Sequence, residues 1–471
     1  MINLSGVNTL DKGFEVSVMD GPLSGLRIID STTVYAMPTA MYILGDMGAE
    51  VIKVENPVAS RVRAASVFPD NDPGEKPWNR DGGFHRLHRS KYSIALNLKQ
   101  PEAVEVFKDL VRTSDVLAEN NRPGVMARLG LDYESLYELN PRLVYFSFSG
   151  FGQTGPWKDF QGIGRMFELT SGVSQFTGYP EEGPRRVGGA WFDPPNGWMA
   201  VFAILSALHH RNLTGNGQRV DFSMYQMGVA TVGDAILDYI ANGRNGQIMG
   251  NRHPFLAPYG AYPCKGEDQW IAIAIENDKQ WLELCRLMGS PLWVKSDKFS
   301  DGLSRWHNQD ELDHHVGAWT SGYYHTKLMT LLSGAHIPSG AVMTAEEVLT
   351  DSHMKERKFF EEVTFPPKSR MGSRVYTGSP WKMSQTPSYI RRPPPDLGEH
   401  NEFILTEMLG RSKSQIDELY SLGAITKEPV PLPKPEPKKS EAELLAIKEK
   451  EVKDGTLAGY DPDYKSKLGM K

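Results

Sequence analysis

At 471 residues, with a net charge of −6 and a pI near 6.1, the chain is too long for one ordinary domain and too acidic to suggest nucleic acid or an anionic membrane as partner. Its 2 cysteines, Cys264 and Cys285, exclude a disulfide framework and a cysteine metal cluster. No apolar run reaches the length of a membrane span, and the N-terminus lacks a basic region followed by an apolar core, so a cytoplasmic protein is expected.

Residues 1–20 read as a loose leader, and organised structure is expected from Gly21. Leu26 to Asp30 has strand character, Pro38 to Met47 suits a helix, and Glu50 to Glu55 suits a second strand. This is a βαβ unit, the opening of many doubly wound sheets. The intervening turn, Ser31 to Met37, has no closely spaced glycines to admit a pyrophosphate, which argues against NAD. Pro101 to Thr113 has amphipathic helical spacing, and Asp115–Glu119 and Arg142–Ser149 suit strands.

The stretch Gly155-Pro156-Trp157-Lys158-Asp159-Phe160-Gln161-Gly162-Ile163-Gly164 reads as a Gly/Pro turn leading onto a new helix or strand. Met199 to His210 is apolar nearly all round, so a buried helix is expected, followed by a turn and a strand over Gln218–Ser223. These elements place a large domain over 21–225. From 226 to 345 long polar connections and aromatics predict a smaller domain containing a strand over Trp270–Ile275. Residues 346–425 return to the large domain. From 426 to 471 alternating prolines give way to a charged helical patch over Glu441–Lys453, an extended arm suited to lying on a partner.

Several blocks, in this order, resemble the family III CoA-transferases (the formyl-CoA transferase, carnitine CoA-transferase and acyl-CoA racemase group). They are Pro22 to Asp30, Leu44 to Glu55, Asn120-Asn121-Arg122-Pro123-Gly124, Arg128 to Tyr133, Asn140 to Leu143, and Ser149 to Pro156. Gly250 to Pro254, Ala257 to Gly260 and Leu397 to His400 complete the set. The resemblance implies an α/β fold with a doubly wound, Rossmann-like large domain built from both chain ends and a smaller inserted α+β domain. It also implies two chains interlinked as a dimer, with coenzyme A held by the large domain.

Moving a thioester between acids without losing its energy to water calls for a carboxylate nucleophile, which forms first an anhydride and then an enzyme–CoA thioester. The family's aspartate for this purpose matches Gly164 here. A glycine has no side chain for the task, so no catalytic residue is expected in this chain unless Glu168 or Asp193 substitutes. The resemblance then implies a subunit that supports a related chain carrying the aspartate, in a heteromeric enzyme moving CoA between dicarboxylates. Succinyl-CoA:benzylsuccinate CoA-transferase resembles this arrangement, which would place the chain in aromatic degradation. A racemase or isomerase using a surrogate carboxylate, and a CoA-binding scaffold without activity, are the alternatives.

By the same resemblance, Val34, Lys91 and Arg128 match CoA-contacting positions. Tyr35, Asn56 and Ser149 stand where formyl-CoA transferases can carry glutamine, arginine and lysine, so CoA binding is expected to be vestigial. Arg61, Arg63, Arg86, Arg89 and Arg122 add forks suited to phosphate oxygens. The aromatic cluster Trp191, Phe192 and Trp198 suits either a core or an aromatic acyl pocket. His85 and His88 have helical spacing but no third ligand, and His253 suits a loop hydrogen bond; no metal is expected.

Overall fold

The computed structural model describes residues 21–58 and 67–430, with a few isolated positions beyond. The leader, Arg61, Arg63 and the patch over 441–453 (apart from two isolated positions) lie outside the described residues. The apolar run near the start becomes β1 (Arg27–Ser31), and Pro38 sits in the first turn of α1 (Ala36–Asp46), where its missing N–H is no loss. β2 (Glu50–Glu55), β3 (Lys91–Ala95), α2 (Pro101–Arg112), β4 (Val116–Glu119) and β5 (Val144–Ser149) follow. After them come α3 (Gly164–Thr170), α4 (Asp193–Thr214), β6 (Gln218–Ser223) and α5 (Gly233–Asn242).

The six strands form one parallel sheet in the order β3-β2-β1-β4-β5-β6. The order reverses between β1 and β4, and in open sheets of this kind the carboxyl ends of the strands at such a reversal are where ligands bind. Alternate side chains of each strand reach opposite faces. Ile28, Val51 and Val116 join a core under α1 and α4, while Ile29, Ile52 and Leu117 join a second core under α2. Ile404, Leu405, Ile416, Leu419 and Ile425 complete that second core from the far end of the chain, and Ile425 bridges to Leu96.

A separate core lies around the antiparallel sheet of β7 (Tyr259–Pro263), β8 (Trp270–Ala274) and β9 (Ser339–Ala341), filled by Tyr262, Ile271, Ile273, Trp281 and Leu312.

The run expected to be buried all round is the middle of α4, and it is buried on one side only. Ala200, Val201, Ile204, Ala207 and Leu208 face the core, whereas Phe202 is 67% exposed and Leu213 75%. A helix buries only the faces that have partners. α1 packs on one side of α4; on the other, among the described residues, apolar side chains stay in solvent. Ile236, Leu237 and Ile240 on α5 are exposed as well.

Candidate active site

The Gly155–Gly164 stretch is a loop that ends on α3, with Gly164 as the first helical residue. The Phe167 ring holds this entry in place. A Cβ at Gly150 would stand 2.1 Å from that ring and one at Gly162 2.5 Å, so only bare backbone lets the ring seat itself there. Phe167 also meets Phe151 edge-on at 5.1 Å. α3 is thus pinned to the end of β5, and Gly164 faces the first turn of α4.

Position 164 and Asp193 are in contact. A Cβ on Gly164 would lie 2.5 Å from Asp193 Oδ2, 3.0 Å from Cγ and 3.1 Å from Oδ1. Asp193 opens α4 ahead of Pro194 and Pro195, which fit a first turn because its N–H groups have no helical partners. Burial pushes the Asp193 carboxyl up to about 6, while Arg86 and the N–H groups of Asp193 and Ala36 pull the other way. The Arg86 guanidinium lies 4.3 Å from the centre of the Tyr35 ring.

That raised value has a measurable consequence. The folded state holds the Asp193 proton more tightly than the unfolded chain, so its contribution to stability is complete below about pH 4 and lost as pH rises through 6. Denaturant midpoints of the wild type and Asp193→Asn should therefore diverge between pH 4 and 7, with the wild type losing roughly 1 kcal/mol relative to the variant after solvent screening. A constant difference across that range would contradict the assignment.

Glu168, the other candidate surrogate, is buried. Its Oε1 accepts hydrogen bonds from the Ser174 hydroxyl at 3.2 Å and the Val187 N–H at 2.9 Å. It ties α3 to the segments that follow.

The three expected CoA-contacting residues divide. Val34 sits in the turn after β1 with φ 72° and is 71% exposed. Arg128 is exposed, in the segment after β4, where Arg122 donates to Gln161 at 2.9 Å. Lys91 requires a correction. It is fully buried, with Nζ 2.8 Å from Asp30 Oδ2, 3.1 Å from His88 Nδ1 and 3.3 Å from the Pro38 carbonyl. The β2–β3 register sets Lys91 beside Val51 inside the sheet, where its ammonium pairs with Asp30 away from solvent.

Two further residues hold the turn after β1, and sequence reasoning gave them no role. Asn120 accepts from the Thr33 N–H at 2.8 Å and donates to the Thr33 carbonyl at 2.7 Å, joining the loops after β1 and β4. Lys53, buried, donates to the Thr32 carbonyl at 2.5 Å and holds the same turn from below. Only the position of Asn120 at the end of a strand hinted at this. Of the aromatic cluster, Phe192 is buried in the core, while Trp191 and Trp198 are half-buried against it, Trp198 meeting Trp381 edge-on at 5.1 Å. His85 Nε2 pairs with the Asn79 carbonyl at 2.9 Å, and among the described residues no group of three His, Cys, Asp or Glu side chains could hold a metal. Among them, too, no helix is long and apolar enough to cross a membrane.

Residues 23–401 match the family described as CoA-transferase family III. The chain is 34% identical over 392 residues to succinate–glutarate CoA-transferase of Agrobacterium fabrum, covering 82% of this chain and 96% of that protein. It is 30% identical over 410 residues to the beta subunit of succinyl-CoA–L-malate CoA-transferase of Chloroflexus aurantiacus, covering 86% and 99%. The crystal structure of a CaiB/BaiF family protein from Brucella suis is similar with a TM-score of 0.75 and 31% identity, covering 83% of this chain and 100% of that one.

Proposed function

The chain belongs to CoA-transferase family III, and from that membership we propose that it takes part in moving coenzyme A between dicarboxylates as the non-nucleophilic chain of a two-chain enzyme. A single observation carries the second half of this reading: position 164 is a glycine, with no side chain to take the acyl group. The substrate class follows the relatives, whose names couple succinate or succinyl-CoA to glutarate and L-malate. That one of these relatives is called a beta subunit supports a division of labour between chains.

The partner is a related chain with the aspartate at the matching position. The apolar side chains left in solvent on α4 and α5 support its presence, because contiguous exposed apolar surface is costly unless another chain covers it. In this arrangement the chain completes the fold of its partner and shapes the shared substrate pocket, from a cytoplasmic enzyme. The arylsuccinate form of the proposal, and with it a place in aromatic degradation, rests on the resemblance.

Acyl-CoA binding is proposed at the carboxyl ends of β1 and β4, with Val34 in the turn after one and Arg128 in the segment after the other. Arg86 and Arg122 fit this role by charge, whereas Lys91 does not. No residue of this chain would then form a covalent intermediate.

Incubation with succinyl-CoA, followed by intact-mass analysis of each chain, tests the proposal. CoA should appear on the aspartate-bearing partner and on no residue of this chain. A CoA adduct on this chain in pure form would reject the reading in favour of a surrogate carboxylate. Racemisation of an acyl-CoA by the pure chain would favour the racemase alternative.

A further inference from the structure

Resting on the reading that this chain binds acyl-CoA, we infer that Arg86 receives the free carboxylate of a dicarboxylyl group in the chain's own site. Arg86 would then be the residue that tells a dicarboxylyl-CoA from a monocarboxylyl one.

Arg86 follows the short helix Gly82–His85 and is exposed. Among the described residues its guanidinium makes no hydrogen bond and no ion pair; it lies over the Tyr35 ring, 4.3 Å from the centre. A planar cation seated by its face on an aromatic ring keeps its edge, and the N–H donors along it, for an acceptor. That edge matches the paired oxygens of a carboxylate, and a seated fork loses less freedom when the carboxylate arrives. The neighbouring cations are already committed. Lys91 and Lys53 stand 2.8 and 3.8 Å from the oxygens of Asp30, and Arg89 is 2.9 Å from Asp46.

Position ties Arg86 to the acyl end of the site. Tyr35 stands immediately before α1, in the turn that leaves β1 where the strand order reverses. The Arg86 charge acts on the Asp193 carboxyl without pairing with it, and that carboxyl is in contact with position 164. By the family resemblance, position 164 is where the acyl carbon comes. The carbonyl carbons at the two ends of a succinyl group are only about 4 Å apart. A cation that reads the free end must therefore stand in the field of the acyl position, as Arg86 does. An ionised carboxylate taken out of water needs such a partner. Tyr35 stands where formyl-CoA transferases can carry glutamine, so the ring and the cation it seats belong to this chain's own version of the site. Arg165, next to Gly164, is exposed as well, but among the described residues no ring or polar group holds its side chain.

Two inert thioethers isolate the free carboxylate from the rest of the ligand: S-(3-carboxypropyl)-CoA and S-butyl-CoA. They differ only in ending on a carboxylate or a methyl group, and neither has a carbonyl for a nucleophile to attack. Titration calorimetry would use the full-length chain in the assembly it forms; since the substitutions lie in this chain, whatever they change is binding at its own site. Arg86→Leu should weaken the carboxylate probe about tenfold or more and move the butyl probe less than about twofold, the difference expected of one charge-assisted contact. Arg86→Lys, which keeps the charge and loses the fork, should fall between. Arg86 has no hydrogen bond to lose, so the urea midpoint of Arg86→Leu should match the wild type's.

An Arg86→Leu chain that keeps the wild-type preference for the carboxylate probe would overturn the inference. Equal weakening of both probes would overturn it too, by placing Arg86 on the CoA phosphates. So would loss of the preference in Arg165→Leu but not in Arg86→Leu. In each of these cases acyl-CoA still binds and the proposed function stands. A wild-type chain that binds neither probe would instead reject the acyl-CoA site, and Arg86's role with it.

Discussion

Asp30→Ala is expected to destabilise the protein by about 3–5 kcal/mol, the range for removing one partner of a buried ion pair. Asp30 is fully buried, with Lys91 Nζ 2.8 Å from one carboxylate oxygen and Lys53 Nζ 3.8 Å from the other. Burial works to raise its carboxyl, and the two ammonium groups more than offset this, leaving it below the ordinary carboxylate range. Removing it strands two cations in the sheet. Glu55, nearby and bonded to the Ser93 hydroxyl at 2.6 Å, compensates only in part.

The same network has a pH signature. Burial brings the Lys91 ammonium down to about 8, against the pull of Asp30, so the folded state gives up this proton before the unfolded chain does. The burden of holding the charge is present below pH 8 and eases as pH rises from 8 towards 10.5, so this group's contribution to stability grows across that window. Denaturant unfolding measures both effects. A loss below about 1 kcal/mol in Asp30→Ala would show that water reaches the network and screens it.

The doubly wound half of the molecule was largely legible in the sequence, because its strands carry short apolar runs and Pro101–Arg112 between them has a clear helical apolar period. Gly164 was legible too, since an absence at a motif position needs no geometry. What the sequence could not supply was contact between distant positions. Lys91 looked like a surface cation until the register of β2 and β3 turned it inward onto Asp30. Glu168 and Asp193 looked equivalent as spare carboxylates; α3 commits one to Ser174 and Val187, while α4 presses the other against Gly164. The apolar run of α4 failed for another reason: hydrophobicity marks a face as needing cover without saying whether this chain or another provides it.

That helix crossing leads to the second large effect. Gly197→Ala should destabilise the protein by about 2 kcal/mol, although alanine is the better helix former by about 1 kcal/mol. Gly197 is buried within α4, and an added methyl group would stand 2.5 Å from the Ala36 carbonyl and 2.9 Å from Thr39 Cβ. The nearest of these atoms belongs to backbone that cannot rotate away, so α4 and α1 must separate. Overpacking of this kind typically costs about 1–3 kcal/mol and exceeds the propensity gain when a main-chain atom is the obstacle. Separation would also move the first turn of α1, with Ala36, away from the first turn of α4, with Asp193. The variant should then lose part of the pH dependence that Asp193 gives the wild type between pH 4 and 6. Urea midpoints at pH 7 and at pH 4 measure the two consequences together, and a midpoint at pH 7 equal to or above the wild type's would show that the helices have room to spare.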